Sequence, residues 1–298
     1  MRQGCSLSPV LFSGYIHRGL DEVREKLEGV RRVCIQGEKV DMLRFADDIA
    51  VLAENLQDLV ATLAEMESTL STTYNLNINK EKTKILVVSK HGMQAHCSLG
   101  SERLENMESF TYLGCRLSSD ERSKAEVISR INQAKLAFNK KHNLFTSNSI
   151  DKHLRKHLVK TFVWIVLLYG SETWTIGEAE KKRIVAFEPW CYRRILKMPW
   201  VDRVSNKEVL LRIEEEKLCL WDTLQKRRNI WVGHIIRLLG LIKMILEGAV
   251  EGKNSRGRPR LTYINQLTED TGCPSYTALK RLAEDREAWR AAASQSYK

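Results

Sequence analysis

The segment Leu43-Arg44-Phe45-Ala46-Asp47-Asp48-Ile49-Ala50-Val51-Leu52 restricts the folds open to this chain more than any other. Two short apolar runs flank two acids, the pattern of a β-hairpin that carries carboxylates at its tip. Tight hairpin turns favour Asn-Gly or Asp-Gly because they need positive φ, so Asp-Asp is a poor turn choice and sets like charges side by side. Two carboxylates about 4 Å apart repel by roughly 4 kcal/mol at an effective dielectric of about 20. A cation or full solvation must offset that. A bare Asp-Asp is more often a solvated acidic turn. Paired carboxylates on a rigid hairpin are also what a divalent cation bound to phosphate requires, since magnesium takes one or two carboxylates, keeps some waters and fills its remaining positions with substrate phosphates.

The surrounding sequence predicts a mixed α/β unit. Ser8 can cap a helix whose first residue is Pro9, with Val10, Tyr15, Ile16, Leu20, Val23 and Leu27 as its apolar stripe and Gly29 beyond its end. Asn55 and Asp58 open a second helix with a stripe from Leu56, Leu59, Val60, Leu63, Met66, Leu70 and Tyr74. A polar turn over 75–83 leads to a strand over 84–88, residues 91–105 read as a short hairpin, and 109–117 reads as another that turns near Gly114. The remainder is mostly helical. Val127, Ile131, Ala134 and Phe138 form one face of the first of these helices, and Arg122, Glu126, Ser129, Gln133 and Lys140 the opposite one. Further helices are expected at 151–168, 177–197, 205–213, 215–239 and 275–293.

Charge divides along the same line. The chain has 298 residues and a formal charge of +11. Residues 1–120 hold 14 Lys+Arg against 17 Asp+Glu, and residues 121–298 hold 34 against 20, so the first part is −3 and the second +14. All seven tryptophans, from Trp164 to Trp289, lie in the basic part. A polyanion is the partner such a balance suits. The seven cysteines are scattered, with no CxxC pair, which argues against a zinc ribbon and suits a reducing compartment. The opening Met-Arg-Gln-Gly lacks the apolar core of a signal peptide, and the longest apolar run, 162–169, is about half the ~20 residues of a membrane helix. The expectation is an intracellular chain, nuclear or cytoplasmic, with no membrane partner.

Four motifs occur in order: Arg2-Gln3-Gly4-Cys5-Ser6-Leu7-Ser8-Pro9, then Phe45-Ala46-Asp47-Asp48, then Asn79-x-x-Lys82-Thr83, then Phe110-x-Tyr112-Leu113-Gly114, with Leu168-Tyr169-Gly170-Ser171-Glu172-Thr173-Trp174 beyond them. Together they resemble the reverse transcriptases of non-LTR (LINE-type) retrotransposons, from Arg2 to about Arg260. The resemblance implies an α+β fold: a partial polymerase palm, an antiparallel sheet with helices, over 1–118; an all-α thumb and connection over 119–250; and a basic linker with a helical C-terminal tail over 251–298. It implies RNA-directed DNA polymerase chemistry on an RNA template and DNA primer with deoxynucleoside triphosphates, using Mg2+ in a two-metal site.

By that resemblance Asp47 and Asp48 are catalytic and metal-binding, and Lys82 is catalytic, a cation near the triphosphate. Arg2, Gln3, Gly4, Phe45 and Ala46 line the nucleotide and template, and Tyr112, Leu113 and Gly114 grip the primer end. In the family a further metal-binding aspartate strand precedes the Arg-Gln-Gly motif by some tens of residues. Here Met1 begins the chain inside that motif, so the expectation is a fragment that does not polymerise alone.

The basic part suggests a second activity. Trp190-Cys191-Tyr192-Arg193-Arg194 and Lys226-Arg227-Arg228-Asn229-Ile230-Trp231 interleave cations with aromatics. Arg193, Arg194, Lys226, Arg227 and Arg228 are candidates for contacting nucleic-acid backbone, with aromatics free to stack on unpaired bases. Core tryptophans beside solvated cations would give the same pattern, and Trp221 and Trp231 also fit helical core spacing. Trp231-Val232-Gly233-His234 looks like an element of the family's C-terminal segment. Ser255-Arg256-Gly257-Arg258-Pro259-Arg260 is similar to an AT-hook core, though a basic hinge accounts for it more simply. The alternative to a polymerase fragment is therefore a non-catalytic RNA- or DNA-binding remnant that uses only the basic helices.

Overall fold

The computed structural model describes residues 5–27, 29–89, 96–119, 123–247 and 263–295. They fall into two compact units, one of 1–121 with 241–254 and one of 122–240 with 255–298. The mixture of helices with small sheets is α+β.

The first unit opens with α1 (Ser8–Lys26), with Leu7 at its cap position and proline in its first turn. Its buried face is Ile16, Gly19, Leu20 and Val23, whereas Val10 and Tyr15 of the expected stripe point outward. The Tyr15 hydroxyl donates to the Tyr74 carbonyl at 2.9 Å. The buried face packs on α2 (Leu56–Tyr74), where Met66 and Leu70 meet Leu20, Val23 and Met42. Gly19 permits the approach, since a β-carbon there would lie 3.0 Å from Leu70 Cδ2. As its sequence predicts, α2 starts on Asn55, whose side chain accepts the Asp58 N–H at 2.9 Å, and it ends on Asn75 in the left-handed region.

The strands are β1 (Val33–Ile35), β2 (Glu38–Val40), β3 (Met42–Phe45), β4 (Asp48–Val51), β5 (Lys84–Leu86), β6 (Ser98–Leu99), β7 (Glu102–Arg103), β8 (Glu105–Met107), β9 (Ser109–Tyr112) and β10 (Cys115–Ser118). The expected antiparallel sheet is not formed as one piece among the described residues. β1–β2, β3–β4, β6–β7 and β9–β10 are antiparallel pairs, and β5 pairs with β8 in parallel. Strands this short cannot make a wide ladder, and each antiparallel pair closes on its own connection whereas the parallel β5–β8 pair is joined across the intervening β6–β7 hairpin. Leu63, Ile85, Cys97, Leu99 and Leu104 form a second small core there.

One buried ion pair fixes the base of the β3–β4 hairpin. Asp41, the residue before β3, is 8% exposed. Arg24 of α1 grips it with both arms of its guanidinium, Nε to Oδ2 at 2.9 Å and Nη2 to Oδ1 at 2.6 Å, and Arg32 adds a charge at 3.7 Å. The Asp41 carbonyl in turn accepts the Leu52 N–H just beyond β4. Burial pushes the Asp41 carboxyl up, but the Arg24 hydrogen bonds with the charges of Arg24 and Arg32 outweigh it and hold the group below its ordinary value.

The second unit is helical: α3 (Lys124–Lys140), α4 (His142–Phe145), α5 (Lys152–Val159) continued by a π turn (Lys160–Trp164) into α6 (Ile165–Leu167), then α7 (Glu178–Ile195), α8 (Asn206–Ile213) and α9 (Leu220–Arg237). Helix α10 (Leu241–Glu247) groups with the first unit, while α11 (Tyr263–Thr271), α12 (Tyr276–Glu284) and α13 (Arg286–Gln295) belong to the second. The face Val127, Ile131, Ala134 and Phe138 is buried as its spacing predicts, against Val163, Leu167, Ile184 and Phe187 among others. Glu126, expected on the opposite polar face, is buried too, at 2.6 Å from Arg130. No single helix among the described residues is long and apolar enough to cross a membrane.

Two contacts set the packing around α9. Glu188 of α7 is fully buried, and its Oε2 accepts the backbone N–H groups of Cys219 and Leu220 at 2.9 and 2.8 Å. The carboxylate thus takes the place of the side-chain cap that Cys219 does not supply. Its Oε1 accepts the Tyr192 hydroxyl at 2.7 Å. Elsewhere on α9, Trp289 of α13 donates Nε1–H to the Asn229 carbonyl at 2.9 Å and occupies the space that a side chain at Gly233 would need.

All seven tryptophans lie in this unit, so indole fluorescence reports its unfolding alone. A β-carbon at Gly233 would press into the Trp289 indole, 2.7 Å from Cδ1 and 2.9 Å from Cε2. In an open helix Gly→Ala stabilises by about 1 kcal/mol; here Gly233→Ala should cost about 1–3 kcal/mol through overpacking. Glu188→Ala removes the acceptor of the Tyr192 hydroxyl, the Leu220 N–H and both the N–H and the thiol of Cys219, and should cost at least about 3 kcal/mol. Urea midpoints read by tryptophan fluorescence check both.

For the first unit the pH dependence has a definite sign. The depressed Asp41 carboxyl contributes stability that is complete above the unfolded-chain value of about 3.9 and is lost as pH falls through the lower folded value. Hydrogen exchange of α1 and β3 amides, corrected for intrinsic rates, should show protection falling in that acid window. Asp41→Asn should flatten the fall and lower protection at neutral pH, by roughly 3 kcal/mol.

Candidate nucleotidyl-transfer hairpin and nucleic-acid interface

The turn of the β3–β4 hairpin decides where its carboxylates stand. The register pairs Met42 with Val51, Leu43 with Ala50, Arg44 with Ile49 and Phe45 with Asp48. Ala46 and Asp47 therefore form the two-residue turn, and Asp48 is the first residue of β4. Ala46 takes the left-handed region at φ 53°. That conformation favours glycine, and holding alanine in it costs of order 1 kcal/mol, a strain of the kind that clusters at functional sites. The Asp-Asp problem is solved by moving the tip one residue back, so that alanine rather than a second acid takes the difficult position.

Asp47 and Asp48 are exposed, as are Phe45, 64% accessible, and Ala46. Among the described residues neither carboxylate forms an ion pair with a lysine or arginine, so their charge is balanced by solvent or by what they bind. Two open carboxylates on adjacent positions fit a hard cation that completes its shell with water and phosphate oxygens. No group of three or more metal-ligating side chains exists among the described residues.

The β9–β10 hairpin reaches this site. Its own turn, Leu113-Gly114, has φ 47° and 79°, and its register sets Tyr112 opposite Cys115. The Tyr112 hydroxyl donates to the Leu43 carbonyl on β3 at 3.3 Å. Burial, and after it the negative charge of Asp48, raise the phenol above its usual value. Two of the sequence-predicted motifs, separated by more than sixty residues of chain, are thereby joined through one hydrogen bond.

Lys82 is exposed in the turn before β5. Asn79 builds that turn: its Oδ1 accepts the Lys82 N–H at 3.0 Å, and its carbonyl accepts the Thr83 N–H and hydroxyl at 3.0 and 2.8 Å. Among the described residues Lys82 makes no ion pair with Asp47 or Asp48. Arg2, Gln3 and Gly4 lie outside the described residues, as does the stretch 255–260.

The basic candidates divide by what already engages them. Arg228 is fully buried, with Nη1 at 2.9 Å from Asp270 and Nη2 donating to the Trp174 carbonyl at 3.2 Å. Arg227 is paired with Glu172 at 2.6 Å. Arg227 stays half-exposed beside its carboxylate, whereas full burial leaves Arg228 no surface for nucleic-acid backbone, which corrects the expectation for that residue. The reason is register: Leu220, Leu224, Arg228 and Val232 recur every four residues and share the buried stripe of α9. Arg193 donates Nη2 to the Val204 carbonyl and to Asn206 Oδ1, both at 2.9 Å, and so braces the loop before α8. Lys226 is exposed on α9. Arg194 is exposed and lies over the Trp190 ring, its Cζ 3.6 Å from the centroid.

Three features of the site escaped sequence reasoning. The Arg24–Asp41 clamp and the Tyr112–Leu43 bond join residues far apart in the chain and leave no local signal. Arg228 had one, the four-residue apolar spacing on either side of it, and the flanking cations obscured it.

Residues 1–117 match the family model for reverse transcriptase (RNA-dependent DNA polymerase). A transposon-derived protein of Caenorhabditis elegans is 26% identical over 279 residues, spanning 86% of this chain and 96% of the relative. No solved structure matches. The unit that presents Asp47 and Asp48 is thus the part of the chain that is similar to reverse transcriptases, and the likeness to a transposon-derived protein runs through both units.

Proposed function

We propose that this chain is the C-terminal portion of a non-LTR (LINE-type) retrotransposon reverse transcriptase, in which residues 1–118 are palm, 119–250 thumb and connection, and 251–298 a basic linker and tail. The observation that carries this reading is the exposed Asp47–Asp48 pair, on a strained turn, within the region that matches the reverse transcriptase model. Partners follow from the activity: an RNA template, a DNA primer and deoxynucleoside triphosphates.

Asp47 and Asp48 would hold Mg2+, which when bound supplies positive charge to the phosphate oxygens during nucleotidyl transfer. The chain's own residues do the positioning. Arg24 and Asp41 fix the hairpin base, and Ala46 lets the turn present both acids. Tyr112, with Leu113 and Gly114, anchors the primer side through the Leu43 carbonyl. Arg2, Gln3 and Gly4 with Phe45 would line the template and nucleotide, and Lys82 would neutralise charge on the leaving pyrophosphate. In the family that the chain resembles a two-metal site takes a further aspartate from a neighbouring strand, and among the described residues no third metal-ligating side chain joins Asp47 and Asp48, which supports reading the chain as catalytically incomplete by itself. The charge of the helical unit favours nucleic-acid binding as an activity that persists without catalysis.

Mn2+, followed by its electron paramagnetic resonance signal, is the probe for the hairpin. Asp47→Asn with Asp48→Asn should weaken its binding by more than the roughly tenfold that loss of an outer partner of a ligand costs. Primer extension on an RNA template should give no product from the chain alone. Incorporation that disappears in Asp47→Asn would overturn the incompleteness while upholding the polymerase reading. Mn2+ binding that is indifferent to both substitutions would overturn the metal assignment.

A further inference from the structure

Along α7, Phe187, Trp190 and Arg194 stand at i, i+3 and i+7 and form a layered stack. The Phe187 and Trp190 rings are 5.5 Å apart and inclined by 14°, and the Arg194 guanidinium covers the next layer at 3.6 Å. Phe187 is buried, Trp190 half-buried and Arg194 exposed, so the stack runs from core to solvent. Phe138 of α3 meets the Trp190 ring edge-on at 5.4 Å and 73°, which fixes the indole from the side. Lys135 of α3 brings its Nζ to 5.7 Å from the same ring. Lys197, just past α7, makes only a long 3.4 Å bond to Asn148 Oδ1.

The charges of this cluster are not balanced locally. Other arginines of the unit are engaged by the fold: Arg130, Arg227 and Arg228 by the carboxylates of Glu126, Glu172 and Asp270, and Arg155, Arg193 and Arg237 by backbone carbonyls. Among the described residues Lys135, Arg194 and Lys197 form no ion pair with a carboxylate. Burial against the indole also lowers the Arg194 guanidinium from its ordinary value, so its charge is partly stripped of water without a compensating anion. A planar, solvent-exposed cation seated over a braced indole, with the Lys135 charge beside the same ring, suits a base and its neighbouring phosphate. A duplex hides its base faces and could use only the charges.

We propose that Arg194, presented by the Phe187–Trp190 stack, with Lys135 beside the same indole and Lys197 three residues further along the chain, is a stacking platform for an unpaired nucleobase, so that the helical unit prefers single-stranded nucleic acid to duplex. This rests on the nucleic-acid-binding reading above and specifies the strand it takes.

The test is fluorescence anisotropy on the full chain with a labelled oligonucleotide of about 12 nucleotides, within the span of a single-strand groove. It is offered single-stranded, as a duplex of the same sequence, and as an abasic strand. The wild type should bind the single strand best. Arg194→Lys keeps the charge and removes the plane; it should weaken single-strand binding about tenfold while changing duplex and abasic binding by less than about twofold. Trp190→Phe, checked for folding by circular dichroism, should move binding in the same direction. Lys135→Ala and Lys197→Ala should weaken all three probes alike and each lower the salt slope by about one. Equal losses on every probe in Arg194→Lys, or none, would overturn the platform. Failure of the wild type to bind any probe would overturn the nucleic-acid reading beneath it.

Discussion

A fully buried carboxylate organises the helical unit. Among the described residues no lysine or arginine forms an ion pair with Glu188; backbone N–H groups at the start of α9 and the Tyr192 hydroxyl take that place. The N-terminus of a helix is short of acceptors and carries partial positive charge, and a buried anion is short of donors. Each deficiency satisfies the other only if α7 and α9 meet at this point and in this orientation. Burial still pushes the carboxyl above its usual range, against the hydrogen bonds that pull it down. The same burial, with the Glu188 charge, raises the Cys219 thiol to about 11, which leaves it a hydrogen-bond donor rather than a thiolate. With α9 placed, Gly233 can receive Trp289, and Arg228 can reach Asp270, so the C-terminal helices pack as part of the same unit.

The first unit solves a different problem. Its described residues form only two-stranded sheets, yet it must hold an acidic turn still. It does so from below, through the Arg24 fork on Asp41, and from the side, through Tyr112 on the Leu43 carbonyl. Neither contact touches Asp47 or Asp48 directly. That separation keeps both carboxylates open while the backbone that carries them is fixed. The strained turn at Ala46 is held in place from the hairpin base, where Arg24 fixes Asp41.

Features written in consecutive residues are legible in the sequence: the Asn55 cap, the Leu63, Met66, Leu70 and Tyr74 part of the α2 stripe (Leu56 and Val60 are exposed), the two hairpins and the buried face of α3. Each rests on short-range chemistry, a cap, a period or a turn. The sequence reading failed where a polar residue occupies an apolar period. Glu126 and Arg228 were placed on surfaces because charge outweighs spacing in such a reading, and the structure buries both because each has a partner at hydrogen-bond distance. Arg228 meets Asp270 across 42 residues of chain, beyond any local pattern. The acidic pair was legible as a hairpin tip but not as to which residue turns, because that is decided by the register of β3 on β4.

The net charge of the basic part gains meaning from the same division. Taken whole, an excess of +14 would describe any nucleic-acid binder. Once the arginines that hold α9, α11 and the loop before α8 are set aside, what faces solvent is a smaller set with a particular geometry, in which Arg194 is stacked rather than solvated. A lysine at that position would carry equal charge and form no plane. The choice of arginine, on an indole already braced by two phenylalanines, therefore points to a contact with shape, whereas long-range attraction for phosphate would be served equally well by either residue.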